Sequence, residues 1–344
     1  MKAIAFTEHG DLDVLKKMDL PDPKLLDDEA LIQVEACALN HLDIWTRQGW
    51  PGLEVPMPHI LGCEVVGTIV ALGKKVSGWK EGERVLVSPG QIPGDPTPGY
   101  EGRESLDPKY QVMGFQRQGG YAEFTTAPAK ELIRINDAWT AVEWAATPLV
   151  FLTAQHMLFG RASLKSGEKV LIHAAGSGIG TAAIQLAKNA GAFIIATAST
   201  DEKLERAKLL GADEVINYKR HPEFHKEVKK MTNGSGVDVV FEHIGPTTWH
   251  SSSASLARGG RVVFCGSSSG PTVEIDLRFA FTRQLSILGS YMGYKSELLE
   301  VINLLKQKKV HPVIDSVFPI DEARSAQEKM LSRDLFGKIV LKMV

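Results

Sequence analysis

The sequence predicts an α/β protein in which a doubly wound parallel sheet is set between two parts of a β-rich region. Three observations predict it: an apolar run at Lys169–Ala174, a glycine-rich turn directly after it, and strands that alternate with helices from Lys165 to about Ser290. Sheets covered on both faces are built from such apolar strands linked by helices. The 344 residues are also long for one core and indicate two domains.

The glycine-rich turn is Gly176-Ser177-Gly178-Ile179, and small residues follow it in a predicted helix at Thr181–Asn189. Glycines let the backbone approach a pyrophosphate, and the free N–H groups at the start of a helix receive its negative charge. We therefore interpret the segment as a dinucleotide-binding unit and expect these four turn residues to contact the nucleotide. The alternative is a turn with only a structural role.

The remaining segments differ in composition and in the pattern of their apolar residues. Alternating and β-branched runs predict strands before about residue 125, Ser88–Met113 is rich in Pro, Gly and charge and predicts a surface loop or lobe, and Thr140–Phe159 predicts a helical connection. Predicted strands are Ala30–Glu35, Val65–Val70, Arg84–Val87, Phe193–Thr197, Asp238–Glu242, Arg261–Cys265, Leu285–Leu288 and Lys338–Lys342, and a further helix is predicted at Glu297–Lys308.

Composition excludes several function classes. The chain has 39 Lys and Arg against 41 Asp and Glu, so nothing indicates binding to nucleic acid or to an anionic membrane. The first residues lack the apolar stretch of a signal peptide, and no run is long enough to span a bilayer, so we expect a soluble cytoplasmic protein. Cys37, Cys63 and Cys265 are too few and too far apart for a disulfide framework or a zinc site made of cysteines alone.

The segment Pro58–Gly67, PHILGCEVVG, is similar to the P-x-I-x-G-H-E-x-x-G pattern of the medium-chain dehydrogenases/reductases. Further markers of that family occur in its order: Gly82–Val85, Gly119–Glu123, Leu152–Ala154 and Gly337–Leu341. The resemblance covers essentially the whole chain. It implies a GroES-like catalytic domain at residues 1–152, completed by 292–344, a Rossmann dinucleotide-binding domain at 153–291, and hydride transfer with a nicotinamide nucleotide.

The resemblance also raises the question of a catalytic zinc. Relatives with zinc hold it by a Cys before an H-T/S-D run, the His of G-H-E and a later Cys. These positions carry Asn40, Cys63 and Leu149 in this sequence. Because Asn is a poor zinc ligand and Leu is none, we expect no catalytic zinc. An atypical set of Cys63, Glu64 and His41 is the alternative.

A structural zinc lobe is expected to be lost as well. The family spacing C-x2-C-x2-C-x7-C falls on Pro93, Pro96, Gly99 and Asp107. Prolines, a glycine and one carboxylate cannot replace four thiolates. The sequence therefore predicts a lobe without metal.

Members of the family without zinc resemble quinone oxidoreductases, and the pair Leu39-Asn40 matches their pattern at the lost cysteine. The resemblance implies hydride addition to a quinone or an α,β-unsaturated carbonyl, which needs only one or two hydrogen-bond donors. We place Asn40, His41 and Asp43 in the catalytic set: the Asn40 amide donates to the substrate carbonyl, and His41 assists or supplies the proton. Each has a structural alternative: a backbone cap for Asn40, and satisfied buried groups for His41 and Asp43.

NADPH is the expected nucleotide, with NADH as the alternative. The end of the second strand carries Ala198 where an NAD site has an acid, and Asp201 lies beyond the strand. Similar NADPH-dependent reductases contact the 2′-phosphate from positions that here are Ser199, Lys203 and Tyr218. Ser199-x-x-Glu202 as a helix-capping box is the competing interpretation. Thr153 matches a residue at the nicotinamide side, or is a helical Thr bonded to its own turn.

Two other functions stay open: an alcohol or aldehyde dehydrogenase with an atypical or lost zinc site, and an NADPH-binding protein without turnover. Trp45, Trp50 and Tyr294 suggest a flat or apolar substrate, or simply pack. Relatives commonly dimerise by joining sheets at the last Rossmann strand, here near Leu285–Leu288. The resemblance thus implies a homodimer or homotetramer.

Overall fold

The computed structural model describes residues 1–343. The chain divides into two compact units, Met1–Leu149 with Tyr294–Val344 and Val150–Gly293. In chain order the elements are β1 Lys2–Phe6, β2 Lys16–Asp19, β3 Glu29–Ala38, α1 His41–Gln48, β4 His59–Ile60, β5 Glu64–Leu72, β6 Arg84–Val87, β7 Gly90–Gln91, β8 Gln111–Val112, β9 Phe124–Pro128, β10 Leu132–Arg134, α2 Ala141–Ala145, α3 Pro148–Gln155, β11 Lys169–Ile172, α4 Gly178–Asn189, β12 Phe193–Ala198, α5 Asp201–Leu210, β13 Glu214–Asn217, α6 Phe224–Met231, β14 Val237–Glu242, α7 Pro246–Ser255, β15 Leu256–Phe264, α8 Leu277–Arg283, β16 Ser286–Gly289, α9 Lys295–Lys306, β17 Ile314–Pro319, α10 Ala323–Ser332 and β18 Lys338–Lys342.

The first unit is built around a mainly antiparallel sheet in the order β10-β6-β5-β3-β18-β17, with β9 also paired to β3. β3 lies at the centre of this sheet. Most of its side chains are buried, and its long run of β-branched and small residues packs on both faces. β18, which comes from the returning segment, pairs antiparallel with the end of β3. This pairing brings the two halves of the unit together next to α1.

The second unit is a parallel sheet in the order β13-β12-β11-β14-β15-β16. Its central strands are buried and apolar, and Leu171, Ile195 and Val240 form one core with side chains from the covering helices. This is the order of a Rossmann sheet, in which the strand order reverses beside β11 and ligands bind at the carboxyl ends of the strands. The predicted α/β class, with a β-rich GroES-like part and a parallel Rossmann sheet, is confirmed.

The differences from the sequence prediction lie at element ends. The helix predicted from Thr181 begins one turn earlier, at Gly178, because the glycines of the turn also serve as the first helical residues. The helical connection predicted at Thr140–Phe159 is divided into α2, α3 and a π-helical turn at His156–Arg161. The strand predicted at Arg261–Cys265 begins earlier, at Leu256.

Candidate active site

Asn40 lies where β3 ends and α1 begins, and it is the N-terminal cap residue of α1. Its backbone N–H donates to Oδ2 of Asp43 at 2.7 Å, and the Asp43 N–H donates to the Asn40 carbonyl at 3.0 Å. Asp43 thereby satisfies a backbone group that the start of the helix leaves free. The predicted capping role of Asn40 is present in its backbone, while its side chain is directed elsewhere.

The side chain of Asn40 joins a buried polar cluster, which we call the Asn40 cluster: Asn40, Cys63, Glu64 and Lys338. The amide nitrogen Nδ2 donates to Oε2 of Glu64 at 2.8 Å and reaches Sγ of Cys63 at 3.4 Å. The amide oxygen Oδ1 accepts from Nζ of Lys338 at 2.6 Å. Asn40 keeps 6 % of its surface exposed, whereas Glu64 has none. The cluster is therefore almost completely enclosed.

Asp43 is fully enclosed and holds the surrounding backbone. Besides the Asn40 N–H, it accepts from the Gly62 N–H at 3.1 Å and from the Tyr121 hydroxyl at 3.1 Å. Burial raises the pKa of Asp43 to about 6, although these hydrogen bonds and the charge of Lys338 pull it down. A carboxyl group with several donors and no exposure supports the geometry of the loop that carries Asn40.

His41 begins a row of aromatic rings that come from α1, from the loop after it and from Phe115. The His41 ring lies 4.9 Å from Trp45, Trp45 lies 5.3 Å from Trp50, and Trp50 lies 6.3 Å from Phe115. Trp50 is 43 % exposed, so the row extends from the residue after Asn40 to the surface. Tilted and edge-on rings of this kind offer faces to another flat, apolar group.

The Asn40 cluster does not fit a zinc ion. Asn40 and the side chain of Leu149 stand at two of the three ligand positions, and Asn is a poor zinc ligand while Leu is none. The ammonium of Lys338 stands 2.7 Å from Oε2 of Glu64 and would repel a divalent cation. Within residues 1–343 there is no group of three or more His, Cys, Asp or Glu side chains arranged to hold a metal.

The lobe between β6 and β9 is held by a carboxylate. Asp107 accepts from the N–H and hydroxyl of Thr97 at 2.7 and 2.8 Å and from the Lys109 N–H at 2.8 Å. Although desolvation opposes it, these donors hold the pKa of Asp107 below its usual value. Asp107, at one of the four family cysteine positions, thus ties the two sides of the lobe together with hydrogen bonds.

In the second unit, the turn from β11 to α4 has the form that a pyrophosphate requires. Ser177 caps α4 by accepting from the Gly180 N–H at 3.0 Å. A Cβ atom at Gly180 would collide with the carbonyl oxygen of Ala174, so only glycine allows this close approach. The N–H groups of Gly178 and Ile179 belong to the first turn, where a helix offers no acceptor. The turn therefore presents donors and a positive dipole end to an anion.

Thr153 lies in α3 and is 5 % exposed. Its hydroxyl oxygen is buried and has no hydrogen-bond partner among residues 1–343. A helical Thr usually bonds back to the preceding turn, but this hydroxyl does not, so the local alternative considered for Thr153 is not observed. A buried hydroxyl without a partner fits a site that a bound polar group completes.

Ser199, Lys203 and Tyr218 gather at the carboxyl ends of β12 and β13. Ser199 follows β12, Lys203 lies in the first turn of α5, and the Tyr218 N–H donates to the carbonyl of Ala198 at 3.2 Å. The cap of α5 is Thr200, which accepts from the Lys203 N–H at 3.3 Å. The capping box suggested for Ser199 is therefore wrong, because the helix begins one residue later than that pattern assumes.

Asp201 is engaged by two side chains from β13 and the turn after it. Its carboxylate accepts from Nδ2 of Asn217 at 2.9 Å and pairs with the guanidinium of Arg220. The first of these hydrogen bonds and the Arg220 charge lower the pKa of Asp201. An acid already engaged by two side chains of the neighbouring strand and turn is a poor ligand for the ribose hydroxyls.

Two groups of buried polar residues escaped the sequence analysis. The first is Lys338, which lies in the family marker Gly337–Leu341. The only feature of the sequence that points to its role is a lysine at the start of an apolar strand.

The other group lies at the end of β11, where the His173 imidazole contacts the Ser252 hydroxyl at 2.9 Å and this hydroxyl donates to Glu242 at 2.6 Å. Oε1 of Glu242 also accepts from three successive backbone N–H groups after β14, at His243, Ile244 and Gly245. This network fixes the turn that follows β14.

Among residues 1–343, no helix combines the length and apolarity needed to cross a bilayer. The family model of the alcohol dehydrogenase GroES-like domain matches residues 26–137, and that of the zinc-binding dehydrogenase matches residues 178–307. The chain is 31 % identical to a quinone oxidoreductase of Sus scrofa over 99 % of its own length and 97 % of the relative's.

A crotonyl-CoA carboxylase/reductase of Cereibacter sphaeroides is 31 % identical, covering 95 % of this chain and 83 % of the relative. The crystal structure of an NAD-dependent alcohol dehydrogenase superposes with a TM-score of 0.95 at 40 % identity, covering 99 % of both chains. All three relatives carry the names of oxidoreductases, and the two family models fall on the two parts of the chain described above. The chain belongs to the medium-chain dehydrogenase/reductase superfamily, is quinone oxidoreductase-like, and is an NAD(P)H-dependent oxidoreductase.

Proposed function

We propose that this protein is an NADPH-dependent reductase of quinones or α,β-unsaturated carbonyls and works without a catalytic zinc. The observation that carries the proposal is the Asn40 cluster, in which an amide, a thiol and the Lys338–Glu64 ion pair occupy the surroundings of the family's zinc positions. A cluster whose charges are paired and whose free donor is a neutral amide suits a substrate that spreads negative charge over a conjugated system. A simple alcohol would instead require a Lewis acid.

Asn40 is the proposed donor to the substrate carbonyl. One of its N–H groups is used by Glu64, while the other faces Sγ of Cys63 at 3.4 Å. A thiol sulfur is a weak acceptor, so a carbonyl oxygen competes well for this second N–H. His41, the next residue, starts the aromatic row and is the proposed proton donor. Asp43 would keep the Asn40 backbone in place through its hydrogen bond.

A bound nicotinamide nucleotide would supply the hydride. The residues proposed to hold it are Thr153, Gly176, Ser177, Gly178 and Ile179. The start of α4 would hold the pyrophosphate, and the unpartnered Thr153 hydroxyl would bind a polar group of the nicotinamide. The proposed 2′-phosphate contacts are Ser199, Lys203 and Tyr218. Preference for NADPH is supported by the engagement of Asp201 with Asn217 and Arg220, which leaves the end of β12 without a free acid.

The aromatic row and two relatives bear on the substrate. The quinone oxidoreductase and the crotonyl-CoA carboxylase/reductase are both named for conjugated carbonyl chemistry. A row of rings that starts beside Asn40 favours a planar substrate. The second candidate is an alcohol or aldehyde dehydrogenase, which is favoured by the 40 % identity to the NAD-dependent alcohol dehydrogenase.

The deciding experiment measures NADPH and NADH oxidation against quinones, enones and aldehydes, on protein treated with chelator and assayed for zinc. We expect undiminished turnover of quinones or enones in the metal-free protein and a lower KM for NADPH than for NADH. Loss of activity with the metal, and its return with added zinc, would support the dehydrogenase candidate instead.

Asn40→Ala tests the catalytic assignment. Removing one donor to a developing oxyanion costs about 10²- to 10³-fold in kcat, and we expect a loss of this order with NADPH affinity unchanged. Asn136→Ala is the matched control, since Asn136 is exposed and its side chain only caps the Ala138 N–H at 3.2 Å. Full turnover in Asn40→Ala would remove Asn40 from the mechanism.

A further inference from the structure

Lys338 lies beside Asn40 although the two residues are 298 positions apart. It begins β18, and β18 pairs antiparallel with β3, whose end leads into Asn40. The Leu39 N–H donates to the carbonyl of Ile339 at 2.9 Å, which extends the pairing to the residue before Asn40. The backbone therefore places Lys338 next to the candidate catalytic amide.

The Lys338 ammonium contacts three oxygen atoms in this region. Nζ donates to Oδ1 of Asn40 at 2.6 Å and to the carbonyl of Leu39, and it forms an ion pair with Oε2 of Glu64 at 2.7 Å. Lys338 is 4 % exposed. Because an ammonium has donors and no acceptor, these contacts hold it within the cluster.

These contacts give the Asn40 amide a single orientation. Lys338 can only donate and an ionised Glu64 can only accept, so Oδ1 must face the lysine and Nδ2 must face the glutamate and Cys63. A flipped amide would set donor against donor and oxygen against carboxylate. An amide oxygen that accepts from a cation also draws electron density from its nitrogen, which strengthens the remaining N–H as a donor.

We infer that Lys338 is a positioning residue for carbonyl reduction: it orients and polarises the Asn40 amide. The inference rests on the proposed role of Asn40. A lysine that merely tied β18 to β3 would affect the stability of the fold without acting through Asn40.

A double-mutant cycle tests this inference with Asn40→Ala, Lys338→Met and the two combined. The measured quantities are kcat and KM for a quinone and an enone, NADPH affinity from its fluorescence, and the melting temperature. We expect Lys338→Met to lower kcat about tenfold or more with NADPH affinity unchanged. In the Asn40→Ala background the same change should lower kcat by less than about twofold, because the residues act as one unit.

Lys338→Arg keeps the charge and is expected to recover part of the kcat lost in Lys338→Met. Removing the cation alone leaves the Glu64 charge buried without its partner, which can prevent folding. Lys338→Met combined with Glu64→Gln supplies a neutral background for the same comparison. There we expect the low kcat to persist although the melting temperature recovers, and Asn40→Ala to add little.

The outcomes separate the two proposals. If Lys338→Met lowers kcat equally with and without Asn40, the positioning inference is overturned while the role of Asn40 stands. If Asn40→Ala alone retains full turnover, the proposed role of Asn40 fails, and the inference about Lys338 fails with it.

Discussion

Asp43, Glu64 and Lys338 are among the ionisable side chains of the GroES-like unit that have at most 4 % of their surface exposed. The Lys338–Glu64 pair balances its own charge, whereas the hydrogen bonds to Asp43 come from neutral donors. Isolated buried carboxylates are costly when ionised. Burial raises the pKa of Asp43 to about 6, so its protonation responds to pH near neutrality.

The raised pKa of Asp43 predicts that the stability of the fold depends on pH. Its pKa is about 6 in the folded protein against 3.8 for an ordinary Asp, so the folded state binds more protons than the unfolded chain between these values. The contribution of Asp43 to stability is thus greatest below this window and falls as the pH rises through it. A shift of this size corresponds to about 3 kcal/mol.

Urea unfolding of the wild type and Asp43→Asn, at about pH 4.5 and pH 7, measures this effect. The substituted amide keeps a nearly equal volume but does not titrate. The wild type should be more stable than Asp43→Asn at both pH values, because an amide offers one oxygen to three donors. The difference in the free energy of unfolding between the two proteins should increase as the pH is lowered. An advantage that is constant with pH would contradict the assigned titration of Asp43.

The lobe between β6 and β9 carries no cysteine at the four positions of the family spacing. Its length follows the family spacing, but Asp107 and Thr97 close it through side-chain and backbone hydrogen bonds. The sequence indicated that four thiolates were absent. It did not indicate that one carboxylate would close the lobe, because Thr97 carries no motif that marks it as the partner.

Asp107→Asn should loosen the lobe, since an amide cannot accept as strongly from the two N–H groups and the hydroxyl. We expect hydrogen exchange in residues 88–113 to become roughly tenfold faster while exchange in β3 and β5 is unchanged. Asp95→Asn is the matched control. Because donors hold the pKa of Asp107 below its usual value, its carboxylate stays ionised as the pH falls to the ordinary pKa of Asp. Protection of the wild-type lobe from exchange should therefore persist to that pH and be lost only in stronger acid. Unchanged exchange in the variant would show that Asp107 does not hold the lobe.

At the level of the whole chain, the sequence predicted the fold class and most strands, because buried parallel strands and turn glycines leave local patterns. It missed the start of α4 because Gly178 and Gly180 are typical of turns, yet both lie in the first turn of the helix. Lys338 could not be assigned because its partners lie in segments that only the folded sheet brings together.

The Rossmann sheet ends in β16, which pairs with β15 and, within residues 1–343, has no strand on its other side. Ile287 in this strand is 41 % exposed, and Phe281 in the preceding helix is 67 % exposed. We predict that the sheet continues through β16 into a second copy, giving a homodimer or a homotetramer. Ile287→Lys should then shift the mass measured by light scattering toward the monomer, with Ser286→Lys in the same strand as a comparison for charge alone. A monomeric wild type would refute this prediction.

The pairing of β18 with β3 also determines when the Asn40 cluster can form during synthesis. Asn40 leaves the ribosome 298 residues before Lys338 does, whereas residues 150–293 form a continuous segment that can fold in the meantime. Until β18 arrives, Glu64 has no cation and the Asn40 amide has no fixed orientation. Residues 150–293 can therefore fold before β18 has been synthesised, whereas the Asn40 cluster can form only after β18 has paired with β3.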